Sequence, residues 1–154
     1  MLKNTIRLLD LKDKQILNIL SENSRLNTNE ICNQTGIPQT TVYNRIKKLT
    51  SDGVIEKFTI KLNKKLLGKG LSAYIFCTVS YRTSQGKKLS QPLVAQQIKA
   101  FPEVEGVNIV TGETDLIIKV SVGDVDELNT FVVKKLRDID GVEKTITCVV
   151  LSEV

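Results

Sequence analysis

Histidine is missing from this sequence altogether. The commonest general base and the commonest metal ligand go with it, which counts against an enzyme. Carboxylate, lysine or cysteine chemistry stays open in principle, but no nucleophile stands beside a base. No enzymatic activity, metal or cofactor is expected. Long apolar runs are also missing: none approaches the roughly 20 residues that cross a bilayer, so no membrane partner is expected. Met1-Leu2-Lys3-Asn4-Thr5-Ile6-Arg7 has neither a long apolar core nor a small-residue cleavage site. A secretory signal is therefore not expected, and the location read from the sequence is cytoplasmic. Cysteine is scarce: Cys32, Cys77 and Cys148 are odd in number, far apart, and each set in an apolar pattern. Buried free thiols in a reducing compartment are expected, not disulfides.

What is present fits a soluble globular protein, with 41% hydrophobic and 25% charged residues. A length of 154 residues allows one ordinary domain or two small ones. The charge is unevenly spread, and Lys-rich faces that merely keep a protein soluble are the plain alternative to a polyanion-binding part. Residues 1–65 hold 12 Lys and Arg against 6 Asp and Glu, a balance of +6. Residues 66–154 hold 10 against 11, a balance of −1. A basic front half on a near-neutral back half suggests that one part faces a polyanion and the other does not.

Local patterns divide the front half into three short helices. Asp10 precedes Leu11 and can cap a helix whose stripe is Ile16, Leu17 and Leu20. After a polar break, Asn27-Thr28-Asn29-Glu30 places a cap residue three positions before an acid, the pattern of a capping box. That helix is short, anchored by Ile31 and ended by Gly36. Thr35-Gly36-Ile37-Pro38 then gives a four-residue link of the kind that sets two helices at a steep angle. From Gln39 a third helix runs with a narrow inward stripe of Val42, Ile46 and Leu49, and Ser51-Asp52-Gly53 stops it.

The remaining face of the third helix is Gln39, Thr40, Thr41, Tyr43, Asn44, Arg45, Lys47 and Lys48. A DNA major groove admits one helix and presents donors and acceptors that Gln, Thr, Asn and Arg match. Gln39, Thr40, Thr41 and Asn44 fall in the first two turns, where a recognition helix usually meets bases. Arg45, Lys47, Lys48 and the Tyr43 hydroxyl suit phosphates. An amphipathic helix with a merely solvated outer face is the plain alternative. The helix triplet, the Gly-containing turn and the basic front half together favour DNA binding.

Leu9-Asp10-Leu11-Lys12-Asp13-Lys14-Gln15-Ile16-Leu17, Gly36 to Leu49, and Gly53-Val54-Ile55 resemble the Lrp/AsnC family, the leucine-responsive or feast/famine regulators. The resemblance continues into the second half. One departure is Pro38, where the family usually has Ser before the recognition helix. Proline offers no side-chain cap there.

Residues 54–62 alternate, with Phe58, Ile60 and Leu62 on one face and Lys57, Thr59 and Lys61 on the other, as in a half-buried strand. The resemblance implies a hinge strand that pairs with its counterpart in a second subunit. Asn63 to Gly70 reads as linker. Beyond it the order is strand (71–81), polar loop (82–90), helix with Leu93, Val94, Ile98 and Phe101, and strands 104–111 and 116–122. A second helix (Val125, Leu128, Val132, Leu136, Ile139) and a strand 142–151 complete it. This is the split βαβ, or ferredoxin-like, order. The fold class is thus α+β. A helix-turn-helix domain (1–53), winged by the resemblance, joins through a hinge strand and linker (54–70) to a ferredoxin-like βαββαβ domain (71–154).

The second domain is similar to the amino-acid-sensing domain of the same family, whose mark is a Gly, two variable residues and an Asp. Gly112-Glu113-Thr114-Asp115 matches it, between Val110-Thr111 and Leu116-Ile117-Ile118. The resemblance implies an effector pocket at the contact between dimers, with Thr145 and Thr147 lining its neighbouring side. A carboxylate near exposed amides suits a zwitterion, and a plain hairpin turn is the alternative. The expected function is a sequence-specific DNA-binding transcriptional regulator responsive to an amino acid or related small molecule. It would act as a homodimer assembling to a tetramer or octamer on double-stranded DNA. The alternative is an architectural DNA-binding protein of the same fold without effector response.

Overall fold

The computed structural model describes residues 9–80, 82, 86 and 88–152. The N-terminal stretch read above for a leader, Tyr81 and part of the 82–90 loop lie outside the described residues. The chain divides into two compact units, Met1–Lys61 and Leu62–Val154. That division falls inside the segment expected as hinge and linker.

The first unit is built from local signals. Helix α1 (Leu11–Glu22) is capped by Asp10, whose side chain accepts from the Asp13 amide at 2.9 Å. Asp13 returns the contact to the Asp10 amide at 3.4 Å, completing a capping box. Helix α2 (Thr28–Thr35) repeats the device with Asn27 and Glu30, and Gly36 leaves it at φ 69°, which a side chain would strain. Each such cap stabilises its helix by about 0.5–2 kcal/mol. Helix α3 (Gln39–Ser51) starts behind Pro38 with no side-chain cap, as proline dictates. Ile16, Leu20, Ile31, Ile37 and Val42 form the core, with Ile19, Leu26, Ile46 and Ile55 packed against it.

The second unit is a four-stranded antiparallel sheet in the order β2-β3-β1-β4, with helices on one face. Its strands are β1 (Leu71–Val79), β2 (Val104–Ile109), β3 (Leu116–Val122) and β4 (Val142–Val149). Helix α4 (Gln91–Lys99) crosses from β1 to β2. Helix α5 (Val125–Thr130) returns from β3 and runs on into a wider turn at Phe131–Leu136. Ala73, Ile75, Cys77 and Val79 alternate inward along β1 and meet Val94, Ile98, Leu128, Phe131 and Leu136.

Three expectations differ from what the single chain shows. Residues 56–63 form no strand, and Phe58, Ile60 and Leu62 are 52%, 70% and 55% exposed. A strand is made by the ladder it joins, and among the described residues no neighbour pairs with this segment. Val125 is exposed, although it opened the predicted stripe of the second helix. The Arg137 amide donates to the Val132 carbonyl five residues back at 3.2 Å. That extra residue in the turn brings Phe131 as well as Val132 inward, and Phe131 meets Phe101 edge-on at 5.7 Å. The three cysteines are free thiols, but only Cys77 is buried: Cys32 is half-buried and Cys148 is exposed. Cys148 pairs with Tyr74 on the sheet face away from the helices.

Candidate nucleic-acid interface and effector loop

Helix α3 presents two unlike sides. Val42 and Leu49 are fully buried and Ile46 half-buried, so the predicted seam lies inward. Burying each large aliphatic side chain stabilises the unit by about 1.5–3 kcal/mol. Gln39, Thr40, Tyr43, Asn44, Lys47 and Lys48 are exposed, and Thr41 is half-buried. An open, shallow depression is lined by Asp10, Thr41, Asn44, Arg45 and Lys48.

Two residues of this face are held by neighbours. The Gln39 Nε2 donates to Thr28 Oγ1 at 3.2 Å, so a bidentate base contact would first have to give up that bond. Arg45 turns toward α1. Its Nη1 reaches the Asp10 carboxylate at 2.6 and 2.7 Å and Asp13 Oδ1 at 2.8 Å. The Asp13 amide, then Arg45, hold the Asp10 carboxyl below the usual carboxylate range. Asp10, then Asp13, push the Arg45 guanidinium up. The sequence reading missed this clamp. Arg45 is three residues from Val42 and next to Ile46, beside the seam, and that position was the available signal.

The Gly112–Asp115 loop tips the β2–β3 hairpin, closed by the Val110 amide donating to the Asp115 carbonyl at 2.9 Å. Gly112 has φ 125°, a conformation that needs glycine. Glu113 is exposed and Thr114 half-buried. Asp115 is engaged on both oxygens, accepting from the Val79 amide at 2.8 Å and from Gln91 Nε2 at 2.7 Å. It thereby ties β3 to β1 and to the first turn of α4. Its own amide donates to the Cys77 carbonyl at 3.0 Å.

Cys77 pairs with Thr145 across β1 and β4, and Ile75 pairs with Thr147. Thr145 and Thr147 therefore share a face, and Cys77 stands between Thr145 on β4 and Leu116, the neighbour of Asp115, on β3. Thr147 is exposed, whereas the Thr145 Oγ1 is buried with no hydrogen-bond partner among the described residues. Burial, then the Asp115 charge, push the Cys77 thiol up to about 11. Gln91 and Cys77 belong to this corner, yet no local pattern marked either one.

Residues 9–56 match the winged helix-turn-helix DNA-binding family, and residues 75–154 match the Lrp/AsnC ligand binding domain. Together these define a helix-turn-helix transcriptional regulator with a ligand-binding domain, a class of regulators and not of enzymes. An HTH-type transcriptional regulator of Pyrococcus furiosus is 44% identical over 92% of this chain and 92% of its own. A transcriptional regulator of Neisseria meningitidis, solved as a complex with L-Met, superposes with a TM-score of 0.86 at 26% identity, covering 96% and 92% of the two chains. AsnC of E. coli does so at 0.82 and 26%, covering 96% and 95%. The chain belongs to the Lrp/AsnC family of transcriptional regulators. No helix among the described residues is long and apolar enough to cross a membrane.

Proposed function

We propose that this chain is a sequence-specific DNA-binding regulator whose C-terminal unit takes an amino acid or related small zwitterion at the contact between dimers. The observation that carries the DNA reading is α3, with its seam packed inward and Thr40, Tyr43, Asn44, Lys47 and Lys48 exposed. In this reading Asn44, Thr40, Thr41 and Gln39 meet base edges, and Lys47, Lys48 and Tyr43 meet phosphates.

A homodimer, associating further to a tetramer or octamer, is supported by two apolar surfaces. One is the helix-free sheet face with Tyr74, Phe76, Ile117 and Ile146. The other is the unpaired segment bearing Phe58, Ile60 and Leu62. A dimer of this kind fits half-sites about one helical turn, roughly 34–36 Å, apart. The effector reading is supported by the Neisseria relative's L-Met complex and by the loop at Gly112–Asp115, with Thr145 and Thr147 on β4 across β1 from that hairpin. Because Asp115 is already engaged internally, the exposed Glu113 and the Thr145 hydroxyl, without a partner among the described residues, are the better-placed ligand groups.

Selection of bound duplexes from a random pool by the full chain tests the DNA reading. Enrichment of a two-fold motif is expected, and binding without enrichment would favour the architectural alternative. A thermal-shift screen of the standard amino acids tests the effector reading. A ligand at 100 times its Kd adds about 2.7 kcal/mol of stability.

A further inference from the structure

The cation placed most centrally on the recognition helix faces two acids. Arg45 is the seventh of the 13 residues of α3, and its side chain is 24% exposed. One nitrogen, Nη1, bridges both carboxylates: Asp10, whose side chain is 54% exposed, and Asp13, at 2%. Asp13 lies in the first turn of α1, and Asp10 is the N-cap of that helix. The guanidinium is thus pinned to the start of another helix, while Thr41, Asn44 and Lys48 surround the same depression from α3.

We infer that Arg45 is a positioning residue for DNA reading, and that Asp10 and Asp13 act with it although they are acidic. The inference rests on the proposal that α3 enters the groove. The seam of Val42, Ile46 and Leu49 is narrow and greasy, and resists rolling of the helix less well than a directional bond does. Side-chain tips lie about 5–6 Å from a helix axis, so a roll of about 10° carries them about 1 Å. A base-edge hydrogen bond tolerates a spread of about 0.5 Å, from roughly 2.7 to 3.2 Å. The clamp stops that roll midway along the reading face. Two carboxylates at 2.6–2.8 Å from Nη1 already neutralise the guanidinium, so it adds little to the charge that draws a phosphate.

The sign of one substitution separates this role from plain electrostatics. Asp10→Asn removes a negative charge beside the interface while keeping a good helix cap. Charge alone predicts tighter binding to every duplex. The clamp predicts looser binding to the right one.

The experiment uses the full-length protein with two duplexes, one selected by the wild type from a random pool and one of unselected sequence. Binding is read by fluorescence anisotropy across a salt series. Asp10→Asn and Arg45→Met are each expected to lower the selected-to-unselected affinity ratio about fivefold, the weaker end of one lost bidentate base contact. The double variant should lose little more than either single one, because both break the same clamp. Arg45→Met should leave the salt slope unchanged, whereas Lys47→Ala lowers it by about 0.9 per subunit. The inference is overturned if Asp10→Asn tightens both duplexes alike, if Arg45→Met lowers the slope as Lys47→Ala does, or if the two losses add. Should Arg45→Met fail to fold, Asp10→Asn decides alone through the affinity ratio. A wild type that retains no duplex from the pool would overturn the DNA reading, and this inference with it.

Discussion

Replacing Asn44 by Ala should damage recognition more than replacing Gln39 by Ala, although both are amides on the same exposed face. A bidentate amide contact to a base contributes about 1–3 kcal/mol. Asn44 is exposed on the reading face of α3. Gln39 donates to Thr28 at 3.2 Å, a neutral bond with a net contribution of about 0.5–1.5 kcal/mol. To reach a base Gln39 has to release it, so its net gain is smaller. Taking midpoints, Asn44→Ala loses about 2 kcal/mol and Gln39→Ala about 1 kcal/mol. These correspond to roughly thirtyfold and fivefold in Kd. Competition anisotropy with a selected duplex, against one of unselected sequence, reads both values. A larger loss from Gln39→Ala would refute the reasoning about the Thr28 bond. Equal weakening on both duplexes would move Asn44 from base reading to backbone contact.

The remaining predictions concern the two units separately. Leu49→Ala should cost the N-terminal unit about 2–5 kcal/mol in denaturant unfolding, and Thr40→Ala within about 0.5 kcal/mol of nothing. Similar effects from both would place the seam wrongly. Cys77 should stay unreactive to a thiol reagent at pH 8 in the folded protein and react on unfolding, as its burial and its raised thiol require. The Cys77 stability contribution is present below pH 9.0 and lost as pH rises through about 11, so Cys77→Ala should flatten the alkaline loss of stability. A wild-type profile already flat there would contradict it. Asp115→Ala strips a partner from the Val79 amide and should destabilise the C-terminal unit by about 1–3 kcal/mol with or without ligand. An unchanged unfolding midpoint would show that the two hydrogen bonds contribute little. Glu113→Gln is the cleaner effector variant, because Glu113 is exposed and its loss should spare the fold.

What could be read from the chain was local. Asp10, Asn27 and Gly36 mark helix ends within a few residues of where they act, and the three helices followed from them. The strand and helix order of the second half followed from alternation and stripes. Interactions between distant parts left no such trace. Arg45 meets partners 35 and 32 residues away, and Asp115 meets Val79 and Gln91 at separations of 36 and 24. Each looked like a free charge because its partner was elsewhere. The 54–62 alternation is real, but a strand also needs a neighbour, and this chain alone supplies none among the described residues. The wide turn at Phe131–Leu136 adds Phe131 to the expected inward face of Leu128, Val132 and Leu136, and the stripe read from the chain did not include it.

The outward side of α3 can be questioned most directly at Tyr43, which is 57% exposed and carries an aromatic ring. A photo-crosslinking phenylalanine analogue there, in the full-length protein, should form a covalent adduct with bound duplex on irradiation. The same analogue at Tyr74 on the sheet should form none. Retained duplex binding with no adduct at position 43 would contradict the account.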